Sequence, residues 1–307
     1  MTSAYLISII NSILRMTTPI LFATLGCLLC NKVNVFNIAL EGQMLIAAFA
    51  AISVNYYTHS ILLSMLAGVA AGGLVGFIVG VFQVKLKAKD MIVGTSMNLL
   101  VSSFTSYMLY VLFATRGSLT GNGMVGLHKI PNFPESMPVL YGMFKNLTYL
   151  DVFGYIAAVL IFIFLYRTVP GFHVMSVGLN KEATRSLGTK VDMTQILAVT
   201  MSGILCGLGG VALCMGNVVI FTEGMSAGRG YMAMAASSLA GAHPLGAILS
   251  SLFFGTAVAS SIALQSYING QITLSFPYIM TILIMAVSGY IKYRRENRHH
   301  IRKGKTK

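Results

Sequence analysis

The sequence predicts an all-α fold, a polytopic transmembrane helical bundle of about 8–10 spans. Three observations predict it. Only 9% of the 307 residues are charged while 56% are hydrophobic, and the mean hydropathy is +0.77. A soluble domain carries about 25% charged residues, so this chain has too few ions to cover a surface facing water. Apolar runs near the length of about 20 residues needed to cross a bilayer recur along the chain. The cations between those runs are crowded into short connections, where anionic lipid and the positive-inside rule place them.

Spans are predicted near residues 17–31, 37–55, 61–84, 91–114, 150–167, 195–216, 230–242, 246–266 and 275–291. The runs at 17–31 and 230–242 are short, and short segments mark broken helices around a transport path. The whole chain, 1–307, reads as one membrane domain. It comprises an N-terminal helical segment (3–16), a core (17–291) with a charged connection at 168–194, and a basic tail (292–307). The first fifteen residues lack the basic start and cleavage site of a signal peptide.

Orientation follows from charge. This span order puts Lys32, the Lys85–Lys89 cluster, Arg167, Lys181, Arg185, Lys190 and the tail on one side. That side holds 16 of the 21 Lys and Arg residues and is expected to be cytoplasmic. The net charge of +13 therefore points to the membrane surface and not to nucleic acid.

Gly68, Gly72, Gly76 and Gly80 stand four apart on one helix face, a stripe that admits a second helix at close range in lipid. Gly203, Gly207 and Gly210 form a similar face. An inverted internal repeat is predicted as well. Glu41-Gly42-Gln43-Met44 and Arg229-Gly230-Tyr231-Met232 each open an apolar helix, followed by a break and a second, Gly-bearing helix. The first copy enters from the inside and the second from the outside.

Several motifs fail on context. Gly121–Gly126 fits G-x-G-x-x-G but follows a membrane span, not a soluble strand, and reads as a loop. Gly304-Lys305-Thr306 lacks the first glycine of a phosphate-binding loop, because His299 stands there. Asn146-Leu147-Thr148 is a glycosylation sequon by pattern only. Cys27, Cys30, Cys206 and Cys214 lie in apolar runs and read as buried small side chains, with no metal set among them.

Glu41 opens an apolar run. A carboxylate at membrane depth needs a partner or water, so it lies either beside a solute path or at its own helix N-terminus. Asn98 and Ser96, in the fourth span, bond between helices or face a path. Asp90 is expected to pair with its neighbouring lysines and His243-Pro244 to form a turn, while Glu223 and Arg229 either pair at an outer mouth or lie in a plain exposed loop. With eight acids in the chain and no catalytic constellation, the sequence offers few groups for enzymatic or ion-coupled chemistry and reads as non-catalytic. An ion-coupled carrier and a membrane enzyme or scaffold protein are the rival classes.

The connection Val177–Gly188 predicts a short amphipathic helix over 180–187. Asn180 suits the N-cap, Glu182 and Arg185 lie three apart, and Gly188 suits the residue after the helix. This segment, with N-I-A-L-E-G-Q-M (37–44), S-G-I-L-C-G-L-G-G (202–210), H-P-L-G (243–246) and L-R-M-T-T-P (14–19), resembles the permeases of ATP-binding-cassette importers. The class is that of branched-chain amino acid, ribose and nucleoside permeases, and the nucleoside type is the best match. Ala39 and Lys181 depart from that type, where Gly and often Pro stand.

The resemblance implies a type II importer half in the bacterial inner membrane, with its C-terminus cytoplasmic. It implies a second permease, an ATPase partner carrying ATP and Mg, and an extracellular substrate-binding lipoprotein. This chain itself would bind no cofactor. It makes Gly178, Asn180, Glu182, Ala183, Arg185 and Gly188 the coupling helix to the ATPase. Asn37, Glu41, Gln43 and Asn98 are the polar groups expected near the path of a nucleoside, or of a simple sugar or riboflavin.

Overall fold

Lipid cannot hydrogen-bond the backbone, so each long apolar run must satisfy its own N–H and C=O groups and folds as a helix. The computed structural model describes residues 2–121, 123–131, 145, 147–265, 279–283 and 286. The helices are α1 (Thr2–Lys32), α2 (Leu40–Thr58), α3 (Ile61–Gly80, continued by a π-helical turn Val81–Lys85) and α4 (Asp90–Phe113). They continue with α5 (Tyr149–Arg167), α6 (Val169–Leu179), α7 (Lys181–Ser186), α8 (Val191–Met215), α9 (Arg229–Leu239) and α10 (Pro244–Leu264). Two short strands, β1 (Ser118–Leu119) and β2 (Phe221–Thr222), pair antiparallel at one end of the bundle.

Six of these stretches are long and apolar enough to cross a membrane: Ile7–Lys32, Ile61–Lys85, Asp90–Phe113, Tyr149–Arg167, Val191–Met215 and Pro244–Leu264. Helix α2 has 19 residues and is walled in by other helices, and α9 has only 11. The segments expected apart at 3–16 and 17–31 are one helix, α1, which continues through Pro19. Neighbouring helices make up for the donor that proline lacks, so a membrane helix tolerates it. The predicted span at 275–291, apart from 279–283 and 286, the basic tail and Asn146 of the sequon lie outside the described residues.

Helix α8 forms the centre. Its glycine face meets the glycine stripe of α3 in antiparallel register. A Cβ at Gly72 would stand 2.6 Å from the Gly203 carbonyl oxygen, and one at Gly76 2.8 Å from that of Val199. On another side of α8, Gly26 of α1 packs on Ser202, and Gly209 packs on the Pro19 carbonyl. Without a hydrophobic drive between helices in lipid, such close approach supplies the packing energy. All four cysteines are buried and unbridged.

The two halves run in opposite directions. Helix α2 is parallel to α8, since Asn37 meets Ser202 and Asn55 meets Met215. Helix α9 is parallel to α1, ending where Asn31 donates to Ser237 at 3.0 Å. Since α1 and α8 are antiparallel, α2 and α9 point opposite ways. Each begins after a non-helical segment, 33–39 and 216–228, that leads into the bundle interior. Ser202 lies eleven residues above Val191, about 16 Å at the α-helical rise. The start of α2 therefore lies roughly half-way through a hydrocarbon core of about 30 Å.

Candidate functional site

The N-termini of α2 and α9 meet at this depth. Neither helix has a side-chain cap of its own, because Ala39 and Gly228 stand at the N-cap positions. Other elements supply the missing acceptors. Glu41, in the first turn of α2, accepts from the Gly228 N–H with one carboxylate oxygen and from the Gly230 N–H with the other, both at 2.7 Å. Asn98 of α4 accepts from the Gly42 N–H at 2.8 Å. Its amide donates to the Ile38 carbonyl at 3.0 Å and the Tyr231 hydroxyl at 3.2 Å. Asn37 accepts from the Ala39 N–H and donates to Gln43 and to Ser202.

Next to this node, the side chains of α4 sort by chemistry. At 3.6 residues per turn, Gly94, Val101, Thr105 and Leu109 form the buried face. On one side of it lie Thr95, Ser96, Ser102, Ser103, Ser106 and Tyr107, hydroxyl-bearing and exposed or half-buried, with the exposed Ile92 and Leu99 among them. On the other lie Val93, Met97, Leu100, Phe104, Met108 and Val111, all apolar. One flank is wholly apolar; the other is mixed and rich in hydroxyls.

At the end of the bundle that carries Lys32, Lys85 and Lys190 lies α7. The Asn180 carbonyl group of the side chain accepts from the Ala183 N–H at 3.1 Å. Gly188, at φ +82°, donates its N–H to the Arg185 carbonyl at 3.0 Å and ends the helix. Arg185 pairs with Asp192 at 3.2 Å and, more loosely, with Glu182 at 3.8 Å. Gly178, near the end of α6, packs on the Lys32 carbonyl, where a side chain would collide, and so seats the end of α6 that leads into α7 against α1. Leu179 and Leu187, which bracket α7, are 87% and 82% exposed. A cavity of about 340 Å³ separates α7 from the bundle, lined by Gln83, Lys87, Asp90, Arg185, Asp192 and Gln195 among others.

Comparison with known proteins agrees with this architecture. Residues 9–286 match the family described as branched-chain amino acid transport system / permease component. The chain belongs to this family. The permease is 30% identical over 292 residues to the nucleoside ABC transporter permease protein NupC of Lactococcus lactis subsp. cremoris, covering 91% of each chain. It is 29% identical to the guanosine ABC transporter permease protein NupQ of Bacillus subtilis, covering 92% of each. It is 26% identical to the glucose ABC transporter permease protein TsgB13 of Haloferax volcanii, over 80% of this chain and 67% of that one. A solved ABC transporter described as metal-chelate type, in an inward-facing conformation, shares the fold. The TM-score is 0.51 at 14% identity, over 91% of this chain and 84% of that one.

The permease brings Asn37, Glu41, Gln43 and Asn98 together, but not along one open surface. Asn37 is 1% exposed and Gln43 0%, both held in the inter-helix network, while Glu41 and Asn98 keep accessible surface. The expected pairing of Asp90 with its lysines is not seen, and of the two readings of Glu223 and Arg229 the described residues show no ion pair between them. Asp90 accepts from the Phe36 N–H at 3.3 Å and, among the described residues, makes no pair with a lysine; it opens α4, where the helix dipole already favours it. Glu223 accepts from the Gly117 N–H at 3.0 Å, whereas Arg229 donates to the carbonyls of Met225 and Ser226. His243 forms the predicted turn, with Pro244 opening α10. The hydroxyl flank of α4 and Tyr231 were not anticipated. Sorting the fourth span by helical period would have exposed the flank; nothing local marks Tyr231.

Proposed function

We propose that this permease is the membrane half of an ATP-driven importer for nucleosides, placed in the bacterial cytoplasmic membrane with α7 and the C-terminus inside. The observation that carries the reading is α7: a capped helix at the cation-rich end, flanked by two exposed leucines. An ATPase groove would cover them, and Gly178, Asn180, Glu182, Ala183, Arg185 and Gly188 would form the coupling element. ATP and Mg would be held by that partner. A second permease and an extracellular binding lipoprotein complete the assembly.

The names of the relatives NupC and NupQ support nucleosides as the solute. A path for a neutral, hydrogen-bonding molecule suits the hydroxyl flank of α4, with Asn98, Tyr231 and the accessible edge of Glu41 at its mid-depth. We place the solute path there, with Asn37 and Gln43 behind it as supports. The relative named for glucose favours a sugar as the second reading.

The test is co-purification of the tagged permease with candidate ATPases, then ATP-dependent uptake of labelled nucleosides into proteoliposomes with the binding protein. Uptake that needs ATP and falls at least tenfold in Arg185→Ala is the expected result. Stable ATPase association with glucose uptake but no nucleoside uptake would favour the sugar. No association with any ATPase, with uptake abolished by an uncoupler, would point to an ion-coupled carrier.

A further inference from the structure

Broken helices leave the N–H groups of their first turns without partners. In lipid each such group is costly. In this permease the cost falls on α9, whose N-cap is a glycine at φ +76° with no side chain to offer. Two of its outward-pointing donors, on Gly228 and Gly230, are met by one side chain from the opposite half of the fold.

That side chain has to be a carboxylate. Only Asp and Glu present two acceptor oxygens on one group. The bonds are charge-assisted, and the N-terminal end of the helix dipole favours the negative charge. The contact is also shaped to exclude a looser fit. A Cβ at Gly230 would stand 2.5 Å from the Glu41 backbone nitrogen and 2.8 Å from its carboxylate. The node is closed on its other side by Asn98, which binds the first turn of α2 and reaches Tyr231 of α9. A carboxylate this deep needs such partners to persist.

We propose that Glu41 is a positioning residue for transport: its carboxylate latches the N-terminus of α9 to the first turn of α2, so that the two broken helices of opposite repeats turn as one body through the cycle. The latch stays closed whichever side of the membrane the path faces. Movement is then confined to the outer parts of each repeat, with the pivot at the node. This rests on the importer reading for its transport consequences, but the latch itself does not.

The test uses the full permease with its ATPase, wild type and Glu41→Gln, Glu41→Asp and Gly230→Ala. The amide of Gln keeps one acceptor and turns a donor toward an N–H; Asp is too short to reach both; the Ala methyl pries the contact apart with the carboxylate intact. Hydrogen exchange read on peptides covering 226–232 should show protection in the wild type with and without ATP, and loss of it in each variant. Maximal uptake per assembled complex should fall at least tenfold, with the half-saturating concentration of solute-loaded binding protein unchanged. Normal uptake per complex in Glu41→Gln would overturn the proposal. So would a raised half-saturation at full maximal rate, which would make Glu41 a solute contact and not a latch, or protection in the wild type that ATP abolishes. If no ATPase associates, the importer reading fails, while exchange in Glu41→Gln against wild type still decides whether the latch exists. Should Gly230→Ala not assemble, the two Glu41 variants decide alone.

Discussion

Asn98 shows what a single polar side chain does at membrane depth. It satisfies the Gly42 N–H, the Ile38 carbonyl and the Tyr231 hydroxyl at once. Leucine has the same branching, with two methyl groups in place of the amide oxygen and nitrogen, and makes none of these bonds. Each buried group left unpaired costs about 1–3 kcal/mol. Asn98→Leu is therefore expected to lower the unfolding midpoint of the detergent-purified permease by several degrees, where Ser96→Leu, on an exposed position of the same helix, leaves it nearly unchanged. Scanning calorimetry or a thermal-shift series checks this. Asn98 and Glu41 were both conspicuous in the sequence, because polar groups inside apolar runs must be accounted for. Their partners were not legible: Tyr231 is 133 residues from Asn98, and Gly228 is 187 residues from Glu41.

Between elements, two kinds of glycine make different demands. Gly72 and Gly76 of α3 face Gly203 and Gly207 of α8, and a Cβ at either would press on backbone atoms within about 3 Å that cannot yield alone. Gly188, at the end of α7, has nothing within 4 Å of its would-be Cβ and is required only for its φ of +82°. Gly76→Leu is expected to abolish accumulation of folded permease. Gly188→Ala should cost only about 1–2 kcal/mol of local strain and leave the bundle intact. Monodisperse yield on size exclusion separates the two. The glycine stripe was readable from spacing alone, since residues four apart share a helix face. That its partner is the glycine face of α8 was not, because spacing describes a surface and not what covers it.

Across the whole permease, charge and architecture agree on two distinct ends. The loops with Lys32, Lys87 and Lys190 gather with α7 at one end. His59, Arg116, the β1–β2 pair and the contact of Asn55 with the Val125 backbone gather at the other. Thr120 and Leu187 are exposed at opposite ends. In whole cells, Thr120→Cys should react with a membrane-impermeant maleimide, and Leu187→Cys should react only after permeabilisation. The reverse pattern would invert the proposed orientation.

Helix content, the membrane as solvent, the crowding of cations into particular connections and the capped segment that became α7 all follow from short-range pattern. Hydropathy, charge position and capping act within a few residues, so one sequence suffices to read them. Even the inverted repeat is visible in the pairing of Glu41-Gly42-Gln43-Met44 with Arg229-Gly230-Tyr231-Met232. The continuity of α1, the burial of Asn37 and Gln43, and the capping of α9 by Glu41 came only with the tertiary structure. Each depends on where a helix comes to rest against distant neighbours. In lipid that is set by close packing and by the need to satisfy every polar group, and both are properties of the assembled bundle.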